Sequence, residues 1–247
     1  DSAYVDAVVT VFMLLASINF VLHYRFLFQF QTKSFFDGEC RFFIGVALTS
    51  MLFITAVLTF VTAYPAKSQH PEIYSGLGEC FRVASFQVAT LFSGCGFVTA
   101  DFDHWPNICR VLLAVLMMIG GCAGSTTGGV KVVRFLTLMK FSLREIALLI
   151  RPQAVISLKL NGNNIEREVV SRVLGFLALW LLLFLLSVAL MSFITDPGWS
   201  SESGSLDPVE ASKVSGAQED DHLVTAFGAT LATLTNVGPG FGGVGPM

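Results

Sequence analysis

Long apolar segments alternate along this chain with shorter ones that stop at small residues. Three long segments hold about 20 residues with few charges, which is enough to cross a hydrocarbon core of about 30 Å. They are Ala7 to Phe28, Phe42 to Tyr64 and Leu174 to Ile194. Two others, Cys80 to Phe92 and His222 to Leu234, are too short to span. We predict core or re-entrant helices for these two.

One further apolar segment is interrupted by a glycine-rich run. Ile108 to Gly120 is apolar, and helical character returns from Val130 to Leu149. Between them the chain reads Gly-Gly-Cys-Ala-Gly-Ser-Thr-Thr-Gly-Gly from Gly120 to Gly129. The pattern predicts a long helix that is broken in its middle.

Composition agrees with a chain whose solvent is a bilayer. Hydrophobic residues make up 53% of the chain and charged residues only 13%, whereas soluble domains carry about 25% charged residues. No basic stripe carries exposed aromatic residues, so we expect no nucleic-acid partner. Five isolated cysteines form no CxxC pair and predict buried thiols, with Cys95 as the exception.

Lysine and arginine placement predicts the orientation of the segments. Residues 131 to 172 hold eight basic residues and should be cytoplasmic, as should the link between the first two spans. Residues 196 to 221 hold seven acids and only Lys213, so they should face outward, like the link from Tyr64 to Glu79. The simplest path is a spanning helix, a re-entrant loop and a second spanning helix, followed by the start of the same unit again.

The two short apolar segments are each followed by a similar stretch of small residues, which indicates an internal repeat. These stretches are Ser93-Gly94-Cys95-Gly96-Phe97 and Thr235-Asn236-Val237-Gly238-Pro239. A cation that sheds its water needs rings of backbone carbonyls, and glycine tolerates the backbone conformation that such a segment requires. Small-residue turns that only pack helices are the alternative interpretation. Asp101 and Asp103, beyond the first stretch, are either plain outer acids or concentrate cations.

Three stretches carry a resemblance to a known family. They are ATLFSGCGFVTADFDHWP at 89–106, GGCAGSTTGGVKVVR at 120–134 and TLTNVGPGFG at 233–242, with SINFVLHYR at 17–25 in addition. The chain resembles the Trk/Ktr/HKT superfamily of cation transporters, and within it the bacterial TrkH type. The resemblance covers essentially the whole chain. Both chain ends look like cuts from a longer protein.

The resemblance implies an all-α integral membrane fold of repeated helix, re-entrant pore loop and helix units, as in potassium channels. Residues 1–30 would end the second unit, 41–150 would form the third, and 168–247 would begin the fourth. The two five-residue stretches would be filter loops, with K⁺ held by the carbonyls of Gly94, Cys95, Gly96, Asn236, Val237 and Gly238. The broken helix would form an intramembrane gate from Gly120, Gly121, Gly124, Ser125, Thr126, Thr127, Gly128, Gly129 and Lys131. Lys131 could equally be an ordinary interfacial residue.

Function and partners also follow as expectations from this resemblance. We expect a potassium uptake protein of the bacterial inner membrane that passes the bilayer several times and is not an enzyme. Potassium would be the transported ion, with no organic cofactor on this chain. Lipid, a second copy in a homodimer and a cytosolic nucleotide-binding subunit of the TrkA type would be its partners.

Other functions account less well for the sequence. The run Gly124 to Lys131 fails as a phosphate-binding loop because Val130 stands where lysine is required. The run Gly238 to Gly243 has the dinucleotide-binding spacing, but no strand precedes it. A secondary transporter with re-entrant hairpins should have inverted repeats, whereas both units here run in the same sense. A membrane enzyme would need a convergent acid, base or metal cluster, and the sequence suggests none.

Overall fold

The computed structural model describes residues 2–30, 37–63, 76–151, 153, 159–160, 163–164, 167–194 and 219–245. Within them the helices are α1 (Ala3–Ala16), α2 (Phe20–Gln29), α3 (Gly38–Ala63), α4 (Leu77–Ser93), α5 (Asn107–Ile119), α6 (Val132–Ile150), α7 (Arg167–Ile194) and α8 (Glu219–Leu234). Two 3-10 turns, Phe102–His104 and Gly242–Val244, follow the predicted pore loops. A minimal antiparallel pair joins β1 (Lys159–Leu160) to β2 (Asn163–Asn164).

Two of the three predicted spans are confirmed as continuous helices. The spanning part of α3 covers Gly38–Val61, with 24 residues, and that of α7 covers Glu168–Ile194, with 27. Only 6% of the most apolar 18-residue stretch of α7 is buried. Leucine-rich helix surface of this kind is stable in lipid.

The predicted first span is wrong as a single straight helix. It consists of α1 and α2, which meet at an angle of 99°. The Asn19 side chain accepts a hydrogen bond at 2.8 Å from the backbone N–H two residues later and so caps a new helix. Partners outside the helix stabilise the break, since Cys122 N donates to Ser17 O at 2.9 Å and Phe20 N donates to Gly124 O at 3.2 Å.

Helix α4 is short and enclosed by protein. Every residue from Phe86 to Ser93 is buried, and the Phe92 ring stacks on that of Phe43 from α3 with centroids 4.6 Å apart. It packs against α1, α3 and α5. A helix that ends inside a membrane protein must be covered in this way, because the backbone that follows it would otherwise be unsatisfied in lipid.

The cysteine prediction is also confirmed. Cys40, Cys80, Cys109 and Cys122 are buried, and Cys95 is exposed. The acidic stretch at 196–221 and the link at 64–79, both predicted to face outward, lie mostly outside the described residues.

Candidate ion pathway

The first predicted filter loop leaves α4 through a left-handed turn. Ser93 still belongs to the last turn of the helix, where its Oγ donates to Thr90 O at 3.2 Å. The helix therefore ends at Ser93, the first residue of the predicted filter loop, and the non-helical backbone begins at Gly94. Gly94 has φ 67° and Gly96 has φ 77°, while Cys95 N between them donates back to Thr90 O at 3.0 Å.

The second predicted filter loop repeats this backbone geometry. Asn236 has φ 56° and Gly238 has φ 111°, and Val237 N donates to Ala232 O at 2.9 Å. Residues 236, 237 and 238 each lie 142 positions after their counterparts in the first loop, which are residues 94, 95 and 96. Thr235, the counterpart of the helix-ending serine, donates its Oγ1 to a carbonyl of α8 at 2.7 Å. The predicted repeat is thus present in the backbone conformation, although sequence identity between the loops is weak.

The two loops lie side by side. A Cβ built on Gly96 would stand 2.0 Å from Val237 O and 3.2 Å from Pro239 Cδ. One built on Gly94 would lie 3.8 Å from Asn236 O. No side chain fits at Gly96, since its φ disfavours one and a neighbouring carbonyl already fills the space.

Helix ends support both loops electrostatically. Helices α4 and α8 each point their C-terminal end at a loop, and neither carries a basic residue in its last turn. The carbonyls at a helix C-terminus carry a partial negative charge, which favours a cation close by. The side chains differ between the loops, because Cys95 and Phe97 are exposed whereas Val237 is buried.

The glycine-rich run doubles back onto the end of α5. Helix α5 stops at Gly120, which has φ 71°, and a Cβ there would lie 2.3 Å from Gly128 O. Val130 N then donates to Met118 O at 2.9 Å. Glycine is required where two backbone segments approach so closely. Residues 120–129 therefore form a compact loop at the break between α5 and α6 that the sequence pattern predicted, and we name it the intramembrane loop.

Polar side chains tie this intramembrane loop together from within. Gly121 N donates to Thr127 Oγ1 at 3.0 Å, and Thr127 Oγ1 lies 2.9 Å from Ser125 Oγ. Lys131 Nζ donates to Ser125 O and to Thr127 Oγ1, both at 3.2 Å. Thr126 is exposed. The ammonium group of Lys131 therefore binds the loop, and a role in gating stays a prediction.

The intramembrane loop touches both filter loops where their helices end. A Cβ on Gly128 would lie 2.0 Å from Thr235 O. A Cβ on Gly94 would lie 3.8 Å from Gly128 N and 3.9 Å from Thr127 Cα. The break between α5 and α6 thereby lies against the C-terminal ends of α4 and α8.

Two residues that no sequence pattern indicated hold this loop from outside. Glu39, in the first turn of α3, is only 7% exposed, and its Oε1 accepts from Ala123 N at 2.6 Å. Asn19 lies so close to Gly124 that a Cβ there would meet its Oδ1 at 2.9 Å. An acid in a first helical turn is common because the helix N-terminus favours it. The sequence therefore offered no signal that set Glu39 apart.

Both predicted outer acids make contacts within the protein. Asp101 caps the 3-10 turn by accepting from Asp103 N at 2.9 Å, and it accepts from His104 Nδ1 at 2.7 Å. Asp103 forms an ion pair with Arg110 at 2.8 Å and accepts from Gly242 N at 2.6 Å. Asp103 therefore connects the turn after the first predicted filter loop to the turn after the second.

Comparison with known proteins agrees with this architecture. The family model for TrkH, described as a cation transport protein, matches residues 1–200 of this chain. The chain belongs to the TrkH family. The matched relatives are named potassium uptake proteins of the Trk system. Their named function is transport and not catalysis. The predicted family and the all-helical membrane fold are confirmed.

Individual relatives align along almost the whole chain. The Trk system potassium uptake protein TrkH of Escherichia coli (strain K12) is 33% identical over 98% of this chain and 43% of its own length. TrkG of the same strain is 29% identical over 96% of this chain and 42% of its own length. The crystal structure of the potassium transporter TrkH from Vibrio parahaemolyticus superposes with a TM-score of 0.79 at 31% identity, over 99% of this chain and 45% of that one. The chain therefore spans less than half the length of these relatives.

Proposed function

We propose that this chain supplies two neighbouring quarters of a potassium-conducting pore. The observation that carries the proposal is the contact between the two extended loops, where Gly96 lies against the Val237 carbonyl. Two loops of equal backbone geometry, each at the C-terminal end of a buried or partly buried helix, meet side by side. Such loops can present carbonyl oxygens to a dehydrated cation.

The ion ligands in this proposal are backbone oxygens. They belong to Gly94, Cys95, Gly96, Asn236, Val237 and Gly238, while Phe97 and Pro239 continue each loop outward. Potassium is the transported ion, by analogy with the relatives that are named potassium uptake proteins. No chemical reaction is required of the chain, because conduction needs only oxygens that replace the ion's water shell.

The loop at residues 120–129 is the gate in this proposal. It touches the start of both extended segments, and it is held there by Lys131 from within and by Glu39 from α3. A small displacement of a loop in that position is enough to open or close a path for an ion. Its contact with the break between α1 and α2 would couple the gate to the preceding unit.

The assembly that we propose follows the family. Residues 1–30 end a second unit, 41–150 form a third and 168–247 begin a fourth, around a pseudo-fourfold pore. The protein would cross the bacterial inner membrane several times and work as a homodimer with a cytosolic nucleotide-binding subunit. The basic residues of α6 and the segment after it are suited to contact that subunit on the cytoplasmic side.

The decisive experiment replaces one glycine in each loop. Gly96→Ser and Gly238→Ser are introduced into a full-length TrkH protein that contains this chain, in cells that lack their own potassium uptake. Uptake of K⁺ and Na⁺ is recorded together and normalised to the protein in the membrane. We expect both variants to lose preference for K⁺, because each residue has a positive φ at which serine is strained by about 1–2 kcal/mol.

The matched control is Gly45→Ser in α3, where a Cβ would meet nothing within 4 Å. It should transport K⁺ like the wild type. Unchanged transport in both loop variants would remove the filter assignment and favour the secondary transporter of a small solute. Absence of K⁺ uptake by the wild type would refute the proposed function itself.

A further inference from the structure

Asp103 joins two pore units that are distant in sequence. It lies in the 3-10 turn after the third filter loop, and its Oδ2 accepts from Gly242 N, 139 positions later, at 2.6 Å. Gly242 follows the fourth filter loop. The Asp103 side chain is only 18% exposed, so the carboxylate is largely withdrawn from water and this hydrogen bond is strong.

Arg110 on α5 holds the carboxylate in place. Its Nη2 lies 2.8 Å from Asp103 Oδ1, and its guanidinium stands over the ring of Phe241 at 5.9 Å from the centroid. The same arginine thus contacts the acid and the residue before Gly242. The pair is partly buried, so water screens its attraction less than it screens an exposed ion pair.

An apolar contact lies beneath these polar ones. Phe102 is fully buried, and its ring meets that of Phe241 edge-on with centroids 5.4 Å apart. A Cβ on Gly245 would stand 2.8 Å from Asp103 Oδ2, so the fourth unit's backbone passes directly over the acid. The segments at 102–103 and 241–245 therefore form one packed junction.

The internal repeat shows why the fourth loop needs this neighbour. In the third unit, Gln87 of the pore helix donates its Nε2 to Ala100 O at 3.1 Å and so holds the outgoing arm of its own loop. Advancing both residues by the repeat length of 142 gives Ala229 and Gly242. Alanine has no donor for such a bond, and Gly242 is held through its N–H by Asp103 instead.

The fourth pore helix binds the next residue by a hydrogen bond of its own. Thr225 Oγ1 accepts from Gly243 N at 2.8 Å. The arm of the fourth loop is thus fixed from one side by its own helix and from the other by the third unit.

We propose that Asp103, held by Arg110, is a positioning residue that determines selectivity by fixing the outer end of the fourth filter loop against the third. The inference rests on the proposed function, since it concerns the geometry of the same pore. Asp103 does not touch the ion in this mechanism. It acts through Gly242 on the loop that does.

Asp101 provides a matched control for a purely electrostatic role. It carries the same charge in the same turn, is 41% exposed, and its hydrogen bonds are to Asp103 N and His104 within that turn. If outer acids acted only by concentrating cations, losing either charge would have a similar effect. A positioning role requires Asp103 alone.

The test compares Asp103→Ala, Asp103→Asn and Asp101→Asn in a full-length TrkH protein that contains this chain. K⁺ uptake, its inhibition by Na⁺ and the half-saturation concentration are measured at low and high ionic strength. We expect Asp103→Ala to lower K⁺ preference by roughly tenfold, since it removes a charge-assisted hydrogen bond. Asp103→Asn keeps an oxygen that accepts from Gly242 N, so its preference should lie between Asp103→Ala and the wild type. Asp101→Asn should keep the wild-type preference.

Three results would overturn the inference while leaving the proposed function intact. One is wild-type preference in Asp103→Ala at normal membrane levels. Another is an equal, salt-sensitive rise of the half-saturation concentration in both asparagine variants, which would mean charge steering. If Asp103→Ala does not reach the membrane, Arg110→Gln is tested in its place. Arg110→Gln removes the ion pair with the Asp103 carboxylate but leaves the hydrogen bond from Gly242 N possible. A K⁺ preference in Arg110→Gln equal to that of wild type would then be the refuting result.

Discussion

Replacing Gly128 by alanine would place a methyl group against the backbone of the fourth pore loop. The new Cβ would stand 2.0 Å from Thr235 O and 2.7 Å from its carbonyl carbon. An ordinary contact is at least 3.4 Å, so the two backbones must separate by about 1.4 Å. Neither partner atom belongs to a flexible side chain, and the strain cannot be relieved by a rotamer change.

The intramembrane loop should give way before the pore loop does. Thr235 is only 1% exposed and is tied to α8 by bonds from both its N–H and its hydroxyl to Leu231 O, at 3.0 and 2.7 Å. Overpacking of this kind costs about 1–3 kcal/mol. If the closed position of the gate bears that cost, the ratio of open to closed protein rises by roughly 5- to 150-fold.

The assay is the initial rate of Rb⁺ uptake, normalised to membrane protein, with Na⁺ inhibition measured in parallel. We expect Gly128→Ala to raise uptake and to keep the wild-type preference for K⁺ over Na⁺. Gly175→Ala in α7 is the control, because a Cβ there meets nothing within 4 Å, and the helix should gain up to about 1 kcal/mol. Wild-type uptake with wild-type thermal stability in Gly128→Ala would refute the argument. Loss of selectivity would mean that the filter yields instead of the gate.

Two further predictions concern the contacts that hold the intramembrane loop. Glu39→Ala leaves Ala123 N without its buried acceptor, which costs about 1–3 kcal/mol. Rb⁺ uptake should rise in this variant and rise less in Glu39→Gln, whose amide oxygen still accepts; equal rates in both variants would contradict the hydrogen-bond argument. Lys131→Met removes the ammonium group that binds Ser125 and also a positive charge beside the path, so uptake should increase. Lys140→Met in α6 is the control for lost charge, and an equal increase there would exclude a specific role for Lys131.

Local sequence properties determined most of the architecture. The spans α3 and α7 follow from uninterrupted apolar length, and the short buried helix α4 follows from an apolar stretch too brief to cross a bilayer. The glycine run predicted the intramembrane loop, because positive φ and close backbone approach are properties of glycine itself. The equivalence of Gly96 and Gly238 in the internal repeat could be predicted for the same reason, and both residues have positive φ.

Tertiary structure decided everything that depends on partners distant in the chain. Ala7 to Phe28 is almost uncharged, yet it bends at Ser17–Asn19, where Asn19 caps α2 and where Cys122 and Gly124 bind the neighbouring backbone. Glu39 binds a residue 84 positions away, and Asp103 binds one 139 positions away. Hydrophobic periodicity and residue propensity report only on neighbours within a few turns. The contacts that join residues 120–129 to α3 and residues 102–103 to residues 241–245 are therefore defined by the fold and not by any local pattern.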